Sequence, residues 1–152
     1  MLINIFIVTA VFFTMEGVAW FTHKYVMHGF LWSLHKDHHK KETHGFFEQN
    51  DFFFLIFAIP GIVGISYGMH HEFNFMFWIG LGITIYGLTY FLVHDIFIHQ
   101  RFKIFRNSDN NYFKGIRRGH KMHHKHIVKE DGECFGMLWV PIKYFKNNTS
   151  KS

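Results

Sequence analysis

Residues 73–93 read Phe73-Asn-Phe-Met-Phe-Trp-Ile-Gly-Leu-Gly-Ile-Thr-Ile-Tyr-Gly-Leu-Thr-Tyr-Phe-Leu-Val93, and the chain runs on without a break into His94-Asp-Ile-Phe-Ile-His99. The first stretch carries no charge. A helix rises about 1.5 Å per residue, so about 20 such residues cross about 30 Å of hydrocarbon. The join therefore sets a membrane-spanning helix against a pair of histidines at one of its ends. Working outward, residues 52–69 are also uncharged, and residues 2–22 are apolar apart from Asn4, Glu16 and a few threonines. Three spans are expected, at about 2–22, 52–69 and 73–93. Residues 2–22 lack a basic leader and a small-residue cleavage site, so they read as a retained helix.

The histidines repeat with the spans. Ten of the 14 form four clusters, His23/His28, His35/His38/His39, His94/His99 and His120/His123/His124. As spacings they are HX4H, HX2HH, HX4H, HX2HH. Neutral imidazole offers a nitrogen lone pair near pH 7 and is the commonest metal ligand. Ten are too many for one ion; at about five per ion they suit two adjacent metals. A lipid-binding basic surface gives no reason for the repeat. His70, His71 and His126 are expected to be solvated, and His44 is left open.

The HX2HH blocks place their histidines at i, i+3 and i+4, near one helical face. They are expected on short helices at about 32–41 and 112–126, the second capped from Asp109-Asn110-Asn111. HX4H fits less well, because five residues at 100° each leave about 140° between side chains. Either the helix distorts there or the two histidines serve different ions. Imidazole suits iron, zinc, copper and nickel alike. No E-x-x-H pair of the soluble di-iron bundles runs through the spans. An all-histidine site facing a membrane points to iron with O2.

All 16 lysines and arginines lie in 23–51 and 94–152, four in the first and twelve in the second. With three spans these segments share one side, which the positive-inside rule makes cytoplasmic. The N-terminus is then outside, and the histidine clusters and C-terminus are cytoplasmic. The net charge of +5 thus reads as a membrane-surface signal rather than a nucleic-acid one. Cys134 is the only cysteine, so no intrachain disulfide forms. The apolar stretch Phe135-Gly-Met-Leu-Trp-Val-Pro141 is too short to cross. It is expected in the interface or over the site, and would make a fourth embedded segment if it re-enters. Fold class is all-α: an integral membrane bundle of about three to four embedded helices with a cytoplasmic histidine-rich cap, one domain over 1–152.

Two further features carry expectations. Gly64-Ile-Ser-Tyr-Gly68 is a GxxxG, assigned first to contact between the chain's own helices and second to a dimer face. Oligomeric state is not readable. Glu16 is an ionisable group inside a span, a functional-site signal by default. It either supports a ligand histidine or pairs with a neighbouring helix. Asp95 and Asp37, beside ligand histidines, are weaker supporting candidates.

These clusters resemble the fatty acid hydroxylase superfamily of membrane di-iron oxygenases. Within it the chain looks most like the bacterial β-carotene 3-hydroxylases. The resemblance rests on His23–His28 with Gly29, Trp32 with His35–His39, and Asn50-Asp51-Phe52-Phe53. It continues through His94-Asp95, His99-Gln100-Arg101, His120–His124 and the Phe135–Pro141 tail. It covers nearly the whole chain. It implies hydroxylation at C3 of each β-ionone ring, taking β-carotene through β-cryptoxanthin to zeaxanthin. It also implies two irons, O2, and electrons from ferredoxin or a similar donor with its reductase. The chain has no flavin, haem or Fe–S motif of its own, so the reductant is expected from a partner. Basic residues from Arg101 to Lys125 suit an acidic donor or anionic lipid. The alternatives are a fatty acyl or sterol hydroxylase or desaturase of the same superfamily, and a membrane metal-binding or transport protein.

Overall fold

The computed structural model describes residues 1–40, 47–102, 104, 108–128 and 130–146; His44 lies outside them. Five α-helices form: α1 Leu2–Phe21, α2 Trp32–His39, α3 Phe52–His70, α4 Phe75–Tyr90 and α5 Asn111–His123. Short 3-10 turns precede α3, at Gln49–Asp51, and follow α5, at Ile142–Tyr144. No strand forms among the described residues.

Three continuous helical rods are long and apolar enough to cross a membrane: Leu2–Phe30, Gln49–His70 and Phe75–Ile98. The first and third outlast the apolar stretch expected from sequence because the histidine-bearing turns Thr22–Phe30 and Phe91–Ile98 continue the helix; the second gains the Gln49–Asp51 turn at its start. The third starts two residues later than expected. Glu72 and Phe73 both hold φ 54°, in the left-handed region, so the chain turns there. Asn74 then caps α4, its side chain accepting from the Met76 N–H at 3.0 Å.

α4 is the central rod and packs on both α3 and α1. Close approach to α3 is made by glycine. A Cβ on Gly64 would sit 3.0 Å from the Gly80 Cα, and one on Gly68 would sit 2.4 Å from the Phe77 Cβ. The GxxxG is therefore spent inside the molecule, on α4. On the other flank Gly82 admits Val11 of α1. Below the histidines, Met15, Ala19, Tyr86 and Met137 form a buried cluster against Phe57, Ile83 and Leu138. Much of the remaining rod surface is exposed and apolar, including Ile5, Phe6, Phe54, Ile62 and Leu88. That surface suits lipid rather than water.

Candidate metal centre

The two HX4H pairs are reconciled with a single target by a change of helix type. Thr22–Phe30 and Phe91–Ile98 are π-helical. The Leu31 N–H donates to the Val26 carbonyl at 3.0 Å, and the His99 N–H to the His94 carbonyl at 2.9 Å. Each is a bond across five residues, which widens the turn and brings i and i+5 onto one face. His23 and His28 then stand 5.2 Å apart by ring centroid, and His94 and His99 4.6 Å. At Gly29 the backbone leaves helical angles altogether (φ −110°, ψ −123°), and the chain folds into α2.

The structure gathers nine of the ten histidines into two groups. His23, His28, His35, His39 and His123 have ligand nitrogens within 4.8 Å of one another, and so do His38, His94, His99 and His120. His124 bridges them: its ring lies 4.4 Å from His39, and its Nε2 lies 2.8 Å from the His120 Nε2. α2 contributes to both groups, His35 and His39 to one and His38 to the other. α5 does the same with His123 and His120. By contrast His70, His71 and His126 are exposed and away from both groups.

Hydrogen bonding fixes the tautomers in the first group. The Nδ1 of His23 donates to the Phe135 carbonyl at 2.9 Å, that of His28 to the Ile127 carbonyl at 2.8 Å, and that of His123 to the Glu133 carbonyl at 3.2 Å. The Nδ1 of His35 meets the Asn50 Oδ1 at 2.6 Å. A carbonyl oxygen only accepts, so each Nδ1 carries the proton and each Nε2 a bare lone pair. Yet the Nε2 atoms of His23 and His35 face each other at 3.0 Å, and those of His28 and His123 at 3.2 Å. Two lone pairs at that distance repel unless a cation lies between them. An imidazole–metal bond is about 2.1 Å for zinc and similar ions, so two ligands at a right angle stand about 3.0 Å apart. The nitrogen spacing fits a shared ion.

The second group agrees. His99 and His120 approach at 2.7 Å through Nε2. The Nε2 of His38 and both ring nitrogens of His94 are buried without a hydrogen-bond partner. Buried polar atoms are normally satisfied, and each neutral imidazole has one lone pair, so His38 and His94 can each offer one nitrogen to an ion. Burial also keeps the rings neutral. It lowers His35 to about 3, His39 and His123 to about 2 and His124 to about 4, with neighbouring imidazoles adding to the effect. His38 and His120 are held well below their usual value for the same reasons. These rings are uncharged donors at neutral pH.

The supporting contacts are mostly ones that spacing does not reveal. Glu48 accepts from the His38 Nδ1 at 2.9 Å, while Asn50 holds His35. Asp51 receives both Arg101 guanidinium nitrogens, at 3.1 and 2.5 Å, and Arg101 Nε lies 3.3 Å from Asp95. The strings Asn50-Asp51 and His99-Gln100-Arg101 thus meet in space and tie α3 to the end of α4. Asp95 lies 3.6 Å from the His94 Nδ1, beyond hydrogen-bond distance. Asp37 accepts from the Gln49 N–H at 2.6 Å. Glu16 touches the neighbouring helix, accepting from the Tyr86 hydroxyl at 2.8 Å. Its other oxygen accepts from the N–H groups of Met137, Leu138 and Trp139 at 2.8, 2.8 and 3.2 Å. The Phe135–Pro141 stretch therefore covers the site as a strap, with the Phe135 ring against His23, His28 and His123. Glu16 reaches a histidine only through that strap.

Apolar rods long enough to cross a membrane, with converged histidines at one end, define a helical membrane-type protein with a candidate metal centre. The sequence matches the fatty acid hydroxylase family over residues 8–143, and the chain belongs to that family. It is similar to the β-carotene hydroxylase of Pseudescherichia vulneris, 40% identical over 92% of this chain and 78% of the relative. The β-carotene hydroxylase of Pantoea ananas is 39% identical over 91% and 78%. A chloroplastic β-carotene 3-hydroxylase of Gentiana lutea is 38% identical over 84% of this chain and 40% of the relative. No solved structure matches the chain.

Proposed function

We propose that this chain is a non-haem di-iron monooxygenase that hydroxylates C3 of the β-ionone rings of carotenoids, converting β-carotene through β-cryptoxanthin to zeaxanthin. The chain acts as one domain, with all ten clustered histidines as ligands. The observation that carries the reading is the paired chamber of neutral imidazoles at the end of apolar rods, in a chain similar to β-carotene hydroxylases over most of its length. Two bound irons would supply O2 activation and abstraction of an unactivated ring hydrogen. The first would rest on His23, His28, His35, His39 and His123. The second would rest on His38, His94, His99 and His120, with His124 between them.

The residues do the rest. Carbonyls of the strap and the side chains of Asn50 and Glu48 orient the imidazoles, as supporting hydrogen bonds do around metal sites. The Phe135 ring excludes water from one side of the chamber. Apolar helices hold the polyene, so that one ring C–H stays near the oxidant in a dry cavity. Reduced ferredoxin or a similar donor with its reductase brings the electrons to the basic face. In the cell the N-terminus is outside and the histidine end cytoplasmic, following the lysine and arginine asymmetry. Pigment chromatography of β-carotene-producing bacteria expressing the chain tests the activity. Zeaxanthin and β-cryptoxanthin are expected. Unchanged β-carotene, with iron-loaded protein and a donor present, would reject the carotenoid reading.

A further inference from the structure

Two cavities lie side by side between the rods, and the inner one reaches a histidine of the candidate metal centre. A small cavity of about 80 Å³ lies between α3, α4 and the first rod, and His94 is part of its wall with Phe53 and Tyr86. A second, wider cleft of about 690 Å³ lies outside it. The two are neighbours, sharing Asp51, Phe54, Gly87, Phe91 and Asp95 as walls. The outer cleft lies among aromatic and aliphatic side chains such as Phe52, Leu55 and Leu88, which are themselves on the exposed surface of the rods. Its size is that of a small-molecule site, and its walls are mostly apolar, with Glu48, Asp51, Asp95 and Arg101 also on them.

Gly87 stands on a wall that the two spaces share. The other glycines of α4 have a packing reason: a Cβ on Gly80 would lie 2.6 Å from the Ile65 nitrogen, and one on Gly82 2.8 Å from the Val11 Cβ. A Cβ on Gly87 would meet nothing within 4 Å. Glycine is the poorest helix former short of proline. Here it admits no neighbouring helix, and what its missing side chain leaves is open space beside a wall common to both cavities.

We propose that the lipid-facing cleft between α3 and α4 admits the substrate's ring sideways from the bilayer, and that Gly87 is the specificity-determining residue that keeps the passage to His94 open. The proposal rests on the carotenoid reading above and names the subsite of that reaction. The occupant is one end ring and the first part of an apolar polyene. It follows from an apolar cleft on the exposed face of the rods that shares five walls with the cavity reaching His94. Phe54 forms the opposing wall. Gly87 touches no histidine in this geometry, so its role is in substrate passage and not in holding metal.

The test compares wild type with Gly87→Ala, Gly87→Leu and Gly87→Phe in β-carotene-producing bacteria. It reads pigment conversion, then iron per protein and carotenoid retained on the purified membrane protein. Alanine should change conversion by about twofold or less. Leucine and phenylalanine should lower it about tenfold or more, the scale on which extra methylenes discriminate in an apolar pocket. Iron content should stay at the wild-type level and retained carotenoid should fall. Adding Phe54→Ala to Gly87→Leu should restore part of the conversion. Wild-type conversion by Gly87→Phe would overturn the proposal. So would loss of iron in step with activity across the series, which would make Gly87 structural. An iron-loaded, reductant-supplied wild type that leaves β-carotene unchanged would instead reject the reaction itself, and the proposal with it.

Discussion

The two histidine groups are held by different means. Three rings of the first, His23, His28 and His123, lean on backbone carbonyls of residues 127–135. In the second, His38 leans on the carboxylate of Glu48, and His94 has Asp95 nearby at 3.6 Å. A carbonyl is fixed by the path of the chain and is neutral. A carboxylate is mobile, is charged, and raises the basicity of the ring that it holds. Apart from His35, which Asn50 holds, the supported rings of the first group are thus governed by the path of residues 127–135, and those of the second by individual side chains. Substitutions should therefore act locally on the second group and through a whole segment on the first.

The largest effect should come from the ligands themselves. Alanine at His28 or at His99 should abolish turnover, and metal per protein should fall below two in both variants. Retained activity at several of the ten positions would refute the shared-ligand assignment. Next come the supports. Glu48→Gln should lower activity or metal affinity by about 10- to 100-fold, the usual cost of a lost supporting contact. Gly136→Leu should act on the other group, because a Cβ there would come within 2.7 Å of the Glu16 Oε1 and lift the strap. Metal titration of the two variants should show weakening of different sites; one common defect would erase the distinction.

The smallest effect is a pH dependence shared by both groups. Burial lowers the folded-state values of His35, His39 and His123 in the first group, of His38 and His120 in the second and of His124 between them, so the unfolded chain binds more protons below its ordinary value of about 6.5. Their contribution to stability is complete above that pH and is lost as pH falls beneath it. The Tm of metal-free protein should be flat from pH 8 to about 6.5 and decline at lower pH. A Tm that rises on acidification would contradict the neutral chamber.

The spans and the histidine inventory were legible in sequence because both are periodic. Hydrocarbon thickness sets the length of the apolar runs, and a shared target sets the spacing of the rings. The sites of α2 and α5 and the Asn110 cap were legible for the same local reasons, the Asn110 side chain accepting from the Tyr112 N–H at 2.9 Å. HX4H left two geometries open, since a π-turn has no composition signal of its own. The carbonyl supports were invisible, because every residue has a carbonyl and only the path of the chain aims one. Glu48 carries no spacing relation to His38 and could have been sought only through its closeness to Asn50-Asp51. Glu16 was marked by its depth alone, and its bonds to the strap join residues more than 120 apart in sequence.

That last contact orders events during synthesis. Glu16 is made early and enters the bilayer with the first span, where an unpaired acidic group costs roughly 3 kcal/mol. The N–H groups that receive it, at Met137, Leu138 and Trp139, leave the ribosome only after every span and every histidine cluster has been made. Docking the strap satisfies the carboxylate, and the same movement delivers the Phe135 and Glu133 carbonyls to His23 and His123. A chain released short of that point would keep all ten imidazoles and lack the docked strap that aims His23 and His123.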